Sequence, residues 1–196
     1  DHCPARGYAV ERLDLRVPDR GRLRVSAMIE VVVAAAQRHR ELVLVGSSLG
    51  GLVAAHAAAQ LTGVRALVLM APAFRFARRW GERLGAAALR RWQAGERLRT
   101  HDRAGGPPLQ VDHGFYRDAC AIDAGWPALA APTLVFHGVG DEVVPPEGSR
   151  ELLAAAPEGC DIRLVELDDG HSLVESVPRI LADTEAFLDR AWKEPT

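Results

Sequence analysis

Four short apolar runs, at 42–45, 64–70, 132–137 and 162–167, constrain the fold of this chain more than any other feature. The first two are nearly continuous in Val, Leu and Ala, and the third centres on Leu134-Val135-Phe136, rather than alternating apolar with polar residues. A half-solvated strand alternates; a strand covered on both faces does not. Residues with apolar spacing of three or four lie between and after the runs, which is helical spacing. Strand–helix alternation of this kind leads to an α/β fold with a mostly parallel sheet flanked by helices, because a parallel neighbour is reached only by a crossover. In such sheets ligands bind beyond the carboxyl ends of the strands. The loops after Val45, Met70, His137 and Leu167 are therefore where reactive side chains are expected.

The other segments are read in the same way. Tyr8, Val10, Leu13 and Leu15 alternate, which predicts a half-buried or edge strand over 8–15. Ser26 is placed to cap a helix carrying Ile29, Val32, Val33 and Ala36. The stretches 52–61 and 149–156 read as helices, and Val174, Val177, Leu181, Thr184 and Leu188 mark a closing helix. Between 74 and 126 the strand signal disappears. Phe76, Trp80, Leu84, Leu89 and Trp92 suggest amphipathic helices, and Gly105-Gly106-Pro107-Pro108 a loop. The expectation is a single domain over residues 1–196 with 74–126 as an insertion.

Composition narrows the function. A net charge of −2 excludes a polybasic nucleic-acid binder. No apolar run approaches the ~18 residues of a membrane span. Cys3, Cys120 and Cys160 are odd in number, far apart and without Cys-x-x-Cys spacing. They form neither a disulfide framework nor a zinc site, and suit a reducing, cytoplasmic compartment.

The loop after Val45 reads Gly46-Ser47-Ser48-Leu49-Gly50-Gly51, a G-x-S-x-G sequence between a buried strand and a helix. A sharp turn there strains the central serine and lifts its hydroxyl clear of the sheet, which is expected to require glycine at Gly46 and Gly50. Ser48 would then sit at a helix N-terminus, with the Leu49 N–H as a first oxyanion donor. The loop after His137 offers Asp141, with Glu142 as its rival, to orient a histidine. The loop after Leu167 offers His171 as a general base. His56 and His137 read as packing and backbone-bonding residues. His101 and His113 lie near Asp102 and Asp112, but the spacing fits no compact metal motif. Arg75, Arg78, Arg79, Arg90 and Arg91 read as a solvated helix face in preference to an anion site.

The order Ser48, Asp141, His171, each beyond a predicted strand, resembles the α/β-hydrolase superfamily, especially small bacterial esterases of the YqiA-like kind. Arg12-Leu13-Asp14-Leu15, the stretches 46–51, 68–72 and 137–145, and Gly170-His171 carry the resemblance. It implies an α/β-hydrolase fold with Ser48 as nucleophile, Asp141 as acid and His171 as base. It also implies a lid or cap at 74–126, no metal or organic cofactor, and a small-molecule ester or thioester as substrate. Such proteins usually open with a strand ending in a His-Gly loop that supplies the second oxyanion donor. No His-Gly loop precedes Ser48 here, so the N-terminal strand and that donor are expected to be missing from this chain. Two rivals stand beside the esterase reading: a non-catalytic ligand-binding protein on the same scaffold, and an acyltransferase. Oligomeric state is left open.

Overall fold

The computed structural model describes residues 7–100 and 108–192. Its elements run α1 (Val25–Ala36), β1 (Leu42–Ser47), α2 (Leu49–Ala58), β2 (Val64–Met70), α3 (Phe76–Gln93), β3 (Leu98–Thr100), β4 (Leu109–Val111), α4 (His113–Ile122), β5 (Thr133–Gly138), α5 (Glu147–Ala155), β6 (Ile162–Leu167) and α6 (Val177–Ala191). The four aliphatic runs form one parallel sheet in the order β1-β2-β5-β6. Its register aligns the carboxyl ends: Ser47 faces Met70, Met70 faces Phe136, and Gly138 faces Leu167. The loops that follow β1, β5 and β6 therefore leave from one edge.

Both faces of the two central strands, β2 and β5, are covered. Leu67, Leu69 and Val135 pack with Ile29 and Val32 of α1, Leu52 and Val53 of α2, and Leu152 of α5. The alternate residues Ala66, Val68, Leu134 and Phe136 pack with Ile180, Phe187 and Leu188 of α6. The two-residue period of a strand thus divides one apolar run between two cores. Burial of each large side chain contributes roughly 1.5–3 kcal/mol, which is why these strands carry so few polar residues.

The stretch between β2 and β5 adds an aromatic group to the first of these cores, with Trp92, Val111, Phe115 and Ala119 in the same cluster as Leu67 and Leu69. Helix α3 is kinked at Gly85, where φ is 71°. Trp80 meets Trp92 and Phe115 edge-on, with centroids 5.5 and 5.8 Å apart. Trp92 Nε1–H donates to the Val111 carbonyl at 3.0 Å. Carboxylates tie this stretch down. Asp112 caps α4 through the Phe115 N–H and receives both Nη atoms of Arg24 at 2.8 and 3.2 Å. Buried Asp123 accepts from the N–H groups of Arg75 and Ala77 at 3.0 and 2.9 Å.

Three local expectations need correction. Residues 8–15 form no strand, because none of the described strands pairs with them. Leu13 and Leu15 still pack against the core, so the alternation reports burial without a ladder. Ser26 is not the cap of α1, which opens at Val25 after Arg24. Its N–H and hydroxyl instead donate to Asp118 of α4 at 2.9 and 2.7 Å, so a carboxylate from another helix does the capping. Finally, β3 and β4 form an antiparallel hairpin inside 74–126, where no strand was expected. Three residues each are too few for a period to show. Cys3, His101, Asp102 and Gly105 to Pro107 lie outside the described residues.

Candidate active site

Ser48 links β1 to α2 with φ 53° and ψ −123°, a conformation that costs a non-glycine residue of order 1–3 kcal/mol. Backbone bonds hold it there. Its N–H donates to Met70 O at 2.9 Å, and its carbonyl accepts from Gly51 and Ala73 at 2.9 and 3.0 Å. The close packing of this turn explains two glycines, but not the pair expected. A Cβ on Gly46 would lie 2.3 Å from Gly50 O, and one on Gly51 would lie 2.9 Å from Pro72 Cβ. A Cβ on Gly50 would meet nothing within 4 Å. The steric requirement therefore falls on Gly46 and Gly51. Leu49 opens α2, so its N–H has no carbonyl four residues back within the helix.

Asp141 stands three residues beyond β5 and is 4% exposed. Its Oδ1 accepts from the N–H groups of Val143 and Val144 at 2.9 and 2.8 Å, the local turn that aspartate forms readily. Oδ2 is thereby turned to His171, whose Nδ1–H donates to it at 2.6 Å. That bond puts the lone pair of His171 on Nε2, which accepts from Ser48 Oγ–H at 3.0 Å. The structure thus joins Ser48, His171 and Asp141 in one hydrogen-bonded chain. Glu142 points away into solvent as an exposed side chain.

Two more contacts hold the loops together. Val139 N–H donates to Leu167 O at 2.8 Å, and Gly140 N–H to Asp169 O at 3.0 Å. Asp169 organises the turn that carries His171, accepting from Gly170 N–H at 2.7 Å and Ser176 N–H at 3.0 Å. Desolvation pushes its carboxyl up, but the hydrogen bonds from Ser176 and Gly170 outweigh it and hold Asp169 below the ordinary aspartate value.

Residues 6–188 match the uncharacterised protein family UPF0227. The chain belongs to that family. Its UPF0227 fold is shared by solved structures of low sequence identity. Mouse alpha/beta hydrolase domain-containing protein 10 superposes with a TM-score of 0.70 at 19% identity, over 85% of this chain and 70% of that one. The monoacylglycerol lipase of Paleococcus ferrophilus gives 0.67 at 20% identity, over 86% and 77%. The esterase domain of a Rhodothermus marinus protein gives 0.52 at 19%, over 84% and 66%. The fold is that of the α/β hydrolases. No curated protein sequence matches the chain.

The remaining candidates of this UPF0227 member fall into place. His137 does bond backbone, as expected, but also does more. Its ring is wholly buried, with Nε2 2.8 Å from Val144 O and 3.3 Å from Asp141 Oδ2, and Nδ1 2.7 Å from Ser149 Oγ. Desolvation pushes its pKa below the ordinary histidine value, against the upward pull of Val144 and Asp141. Ser149 carried no signal in the sequence; it is one serine at the start of a helix, and only the fold aims it at His137. His56 sits on α2, its pKa pushed down by burial. His113 meets Trp92 edge-on and Tyr116 at a tilt, with centroids 5.6 and 5.7 Å apart. No group of three or more potential metal ligands converges among the described residues. Arg75, Arg78, Arg79 and Arg91 each meet a carboxylate, of Glu151, Glu82, Glu147 and Glu96. Arg75 also donates to the Asp123 carbonyl and stacks 4.0 Å over Trp126. No helix among the described residues is long and apolar enough to cross a membrane.

Proposed function

We propose that this chain is a serine hydrolase that cleaves carboxylic esters or thioesters through an acyl-enzyme on Ser48. The chain of two hydrogen bonds, 3.0 Å from Ser48 to His171 and 2.6 Å from His171 to Asp141, carries the reading. Ser48 Oγ attacks the acyl carbon as its proton passes to His171 Nε2. Asp141 stabilises the imidazolium that results. The negative oxygen of the tetrahedral intermediate rests on the Leu49 N–H, where the start of α2 favours negative charge. Collapse expels the alcohol or thiol, which takes the proton from His171. Water then attacks the acyl-enzyme as its proton passes to His171, and collapse returns that proton to Ser48 Oγ, releasing the acid and free Ser48. None of these steps calls on a metal or organic cofactor.

The stretch 74–126 is the proposed cap within a single domain. It flanks the Asp141 loop: a cleft of about 560 Å³ is lined by Arg79, Glu82 and Arg83 on one side and Glu142, Val143 and Pro145 on the other. The lipase and the esterase domain named above lend the reading their chemistry by likeness of fold alone. A fluorophosphonate probe tests it directly. The expected result is a single adduct on Ser48, absent from Ser48→Ala and much slower in His171→Ala. A protein that folds yet gives no adduct would sink the hydrolase reading and favour a ligand-binding role. Product analysis with a competing alcohol separates hydrolysis from acyl transfer.

A further inference from the structure

Asp141 Oδ2 has two imidazoles within reach, His171 Nδ1 at 2.6 Å and His137 Nε2 at 3.3 Å. The first belongs to the proposed mechanism. The second has no part in it, although the side chains of His137 and Asp141 are both fully buried. Buried polar atoms are costly unless satisfied, and every polar atom of the His137 ring is satisfied here.

The hydrogen positions follow from its partners. A carbonyl only accepts, so the 2.8 Å contact with Val144 O puts a proton on Nε2. In the neutral ring Nδ1 is then an acceptor, and Ser149 Oγ–H donates to it at 2.7 Å. The Nε2–H is shared between the Val144 carbonyl and Asp141 Oδ2. At 3.3 Å the second contact is long for a hydrogen bond, so its contribution lies in placement. Val143 and Val144 N–H hold Oδ1, which leaves the carboxylate one freedom, a swing of Oδ2. His137 limits that swing. Because the ring is uncharged, it does so without competing with His171 for the carboxylate charge.

We infer that His137 is a positioning residue: with its tautomer set by Val144 and Ser149, its Nε2–H fixes Asp141 Oδ2 against His171. This rests on the hydrolase reading. The alternative is that His137 only packs the end of β5 against the start of α5.

Two amides separate these roles. Glutamine can present its amide nitrogen near the place of Nε2, and asparagine near that of Nδ1. Both are polar and smaller than the imidazole, asparagine by one methylene more, so part of any difference in stability between them reflects packing, which the unfolding record separates from the rate. The measurement is the second-order rate at which a fluorophosphonate labels Ser48, in which Oγ displaces fluoride from phosphorus while its proton passes to His171. Thermal unfolding is recorded on the same samples. His137→Gln is expected to react within about threefold of wild type, a difference under 1 kcal/mol. His137→Asn is expected to react ~10–100-fold more slowly even well below its unfolding transition, the size of loss seen when the hydrogen-bond partner behind a metal-ligating side chain is removed, taken here as the analogue for a carboxylate held from behind. Equal rates for the two amides, with wild type labelled, would overturn the positioning role and leave the hydrolase reading standing. A folded wild type that is not labelled at Ser48 overturns both. If neither amide variant folds, Ser149→Ala decides: a rate lowered about threefold or more supports the network, and an unchanged rate overturns it.

Discussion

The sheet and the stretch between β2 and β5 are stabilised by different chemistry. The sheet is aliphatic, with Leu67, Val68, Leu69, Leu134 and Val135 divided between its two faces. The inserted stretch is aromatic. Phe76, Trp80, Trp92, Phe115 and Tyr116 form a chain of ring contacts with centroids 5.4 to 6.2 Å apart. A parallel ladder places residues by backbone register, so side chains far apart in sequence arrive at one edge in a defined order. Aromatic contacts place residues by shape, and carboxylates such as Asp112 and Asp123 then tie the result to its surroundings. The difference separates two jobs. Ser48, Asp141 and His171 follow the carboxyl ends of sheet strands, His137 stands near the end of β5, and the insertion supplies none of them. Substitutions in the sheet loops should therefore change reactivity, and those in the insertion should change stability.

The largest effect is expected at Asp141. In Asp141→Asn the amide oxygen can still accept from Val143 and Val144, so the loop keeps its shape. The amide nitrogen then faces His171 Nδ1 and favours the wrong tautomer. Hydrolysis of an activated ester should fall about 10⁴-fold, as when a triad carboxylate becomes an amide. An unfolding temperature near that of wild type would show that the loss is chemical.

Trp92→Ala probes the other side of the comparison. Trp92 is 3% exposed and touches Trp80, Tyr116 and His113, besides its bond to Val111 O. Truncating so large a buried ring typically costs ~3–5 kcal/mol. Denaturant unfolding should show that loss. Labelling of Ser48 well below the transition should stay within about threefold of wild type, under 1 kcal/mol. A parallel collapse in labelling would mean that the aromatic centre also supports the sheet edge.

These two regions also differed in how far their sequences could be read. The four strands were legible as local apolar runs, but burial on both faces holds only for β2 and β5: β1 leaves Val45 57% exposed, and β6 exposes Arg163 and Glu166. The meeting of Ser48, Asp141 and His171 could be anticipated because each follows such a run, and the structure places them in hydrogen-bond contact at 3.0 and 2.6 Å. Long-range partnerships were not legible. Ser26 was read as a cap because serine favours caps, yet its N–H is satisfied by Asp118, 92 residues on. Gly50 was read as the tight glycine from the motif, whereas Pro72 makes Gly51 the tight one. The alternation over 8–15 was read as a strand, but alternation shows which side is buried and cannot supply a ladder partner. His137 looked like a backbone-bonding histidine because its links to Ser149 and Asp141 depend on how α5 and the loop fold back.

A smaller effect is expected at Asp123, which joins the end of α4 to the start of α3. Asp123→Ala leaves the N–H groups of Arg75 and Ala77 without their acceptor, and should cost ~1–3 kcal/mol. Its pH dependence has a definite sign. Burial raises the Asp123 pKa above the ordinary value, against the pull of the N–H groups and Arg75. With the folded value raised, the folded state holds the proton more tightly. That contribution is present below the unfolded pKa and is lost as pH rises through the folded pKa. The gap in unfolding temperature between wild type and Asp123→Ala should therefore widen as pH falls from neutrality. A gap that narrows would mean that the hydrogen bonds favour the ionised form more than burial opposes it.

The smallest effect is expected one residue from Ser149. Arg150 reaches Glu166 through Nε at 2.8 Å and Nη2 at 2.5 Å, and Glu147 through Nη1 at 3.2 Å. The geometry is close, but the side chains of Arg150 and Glu166 are 47% and 39% exposed. Solvent screens such pairs, and they typically contribute ~0–1 kcal/mol. Arg150→Ala should shift the unfolding transition little and leave the labelling rate of Ser48 unchanged. The value of this variant lies in its position. Arg150 and Ser149 are neighbours on α5, so a general shift of that helix would act on both. If Arg150→Ala slows labelling as much as Ser149→Ala does, movement of α5 accounts for both effects. If only Ser149→Ala slows it, the effect runs through His137 to Asp141.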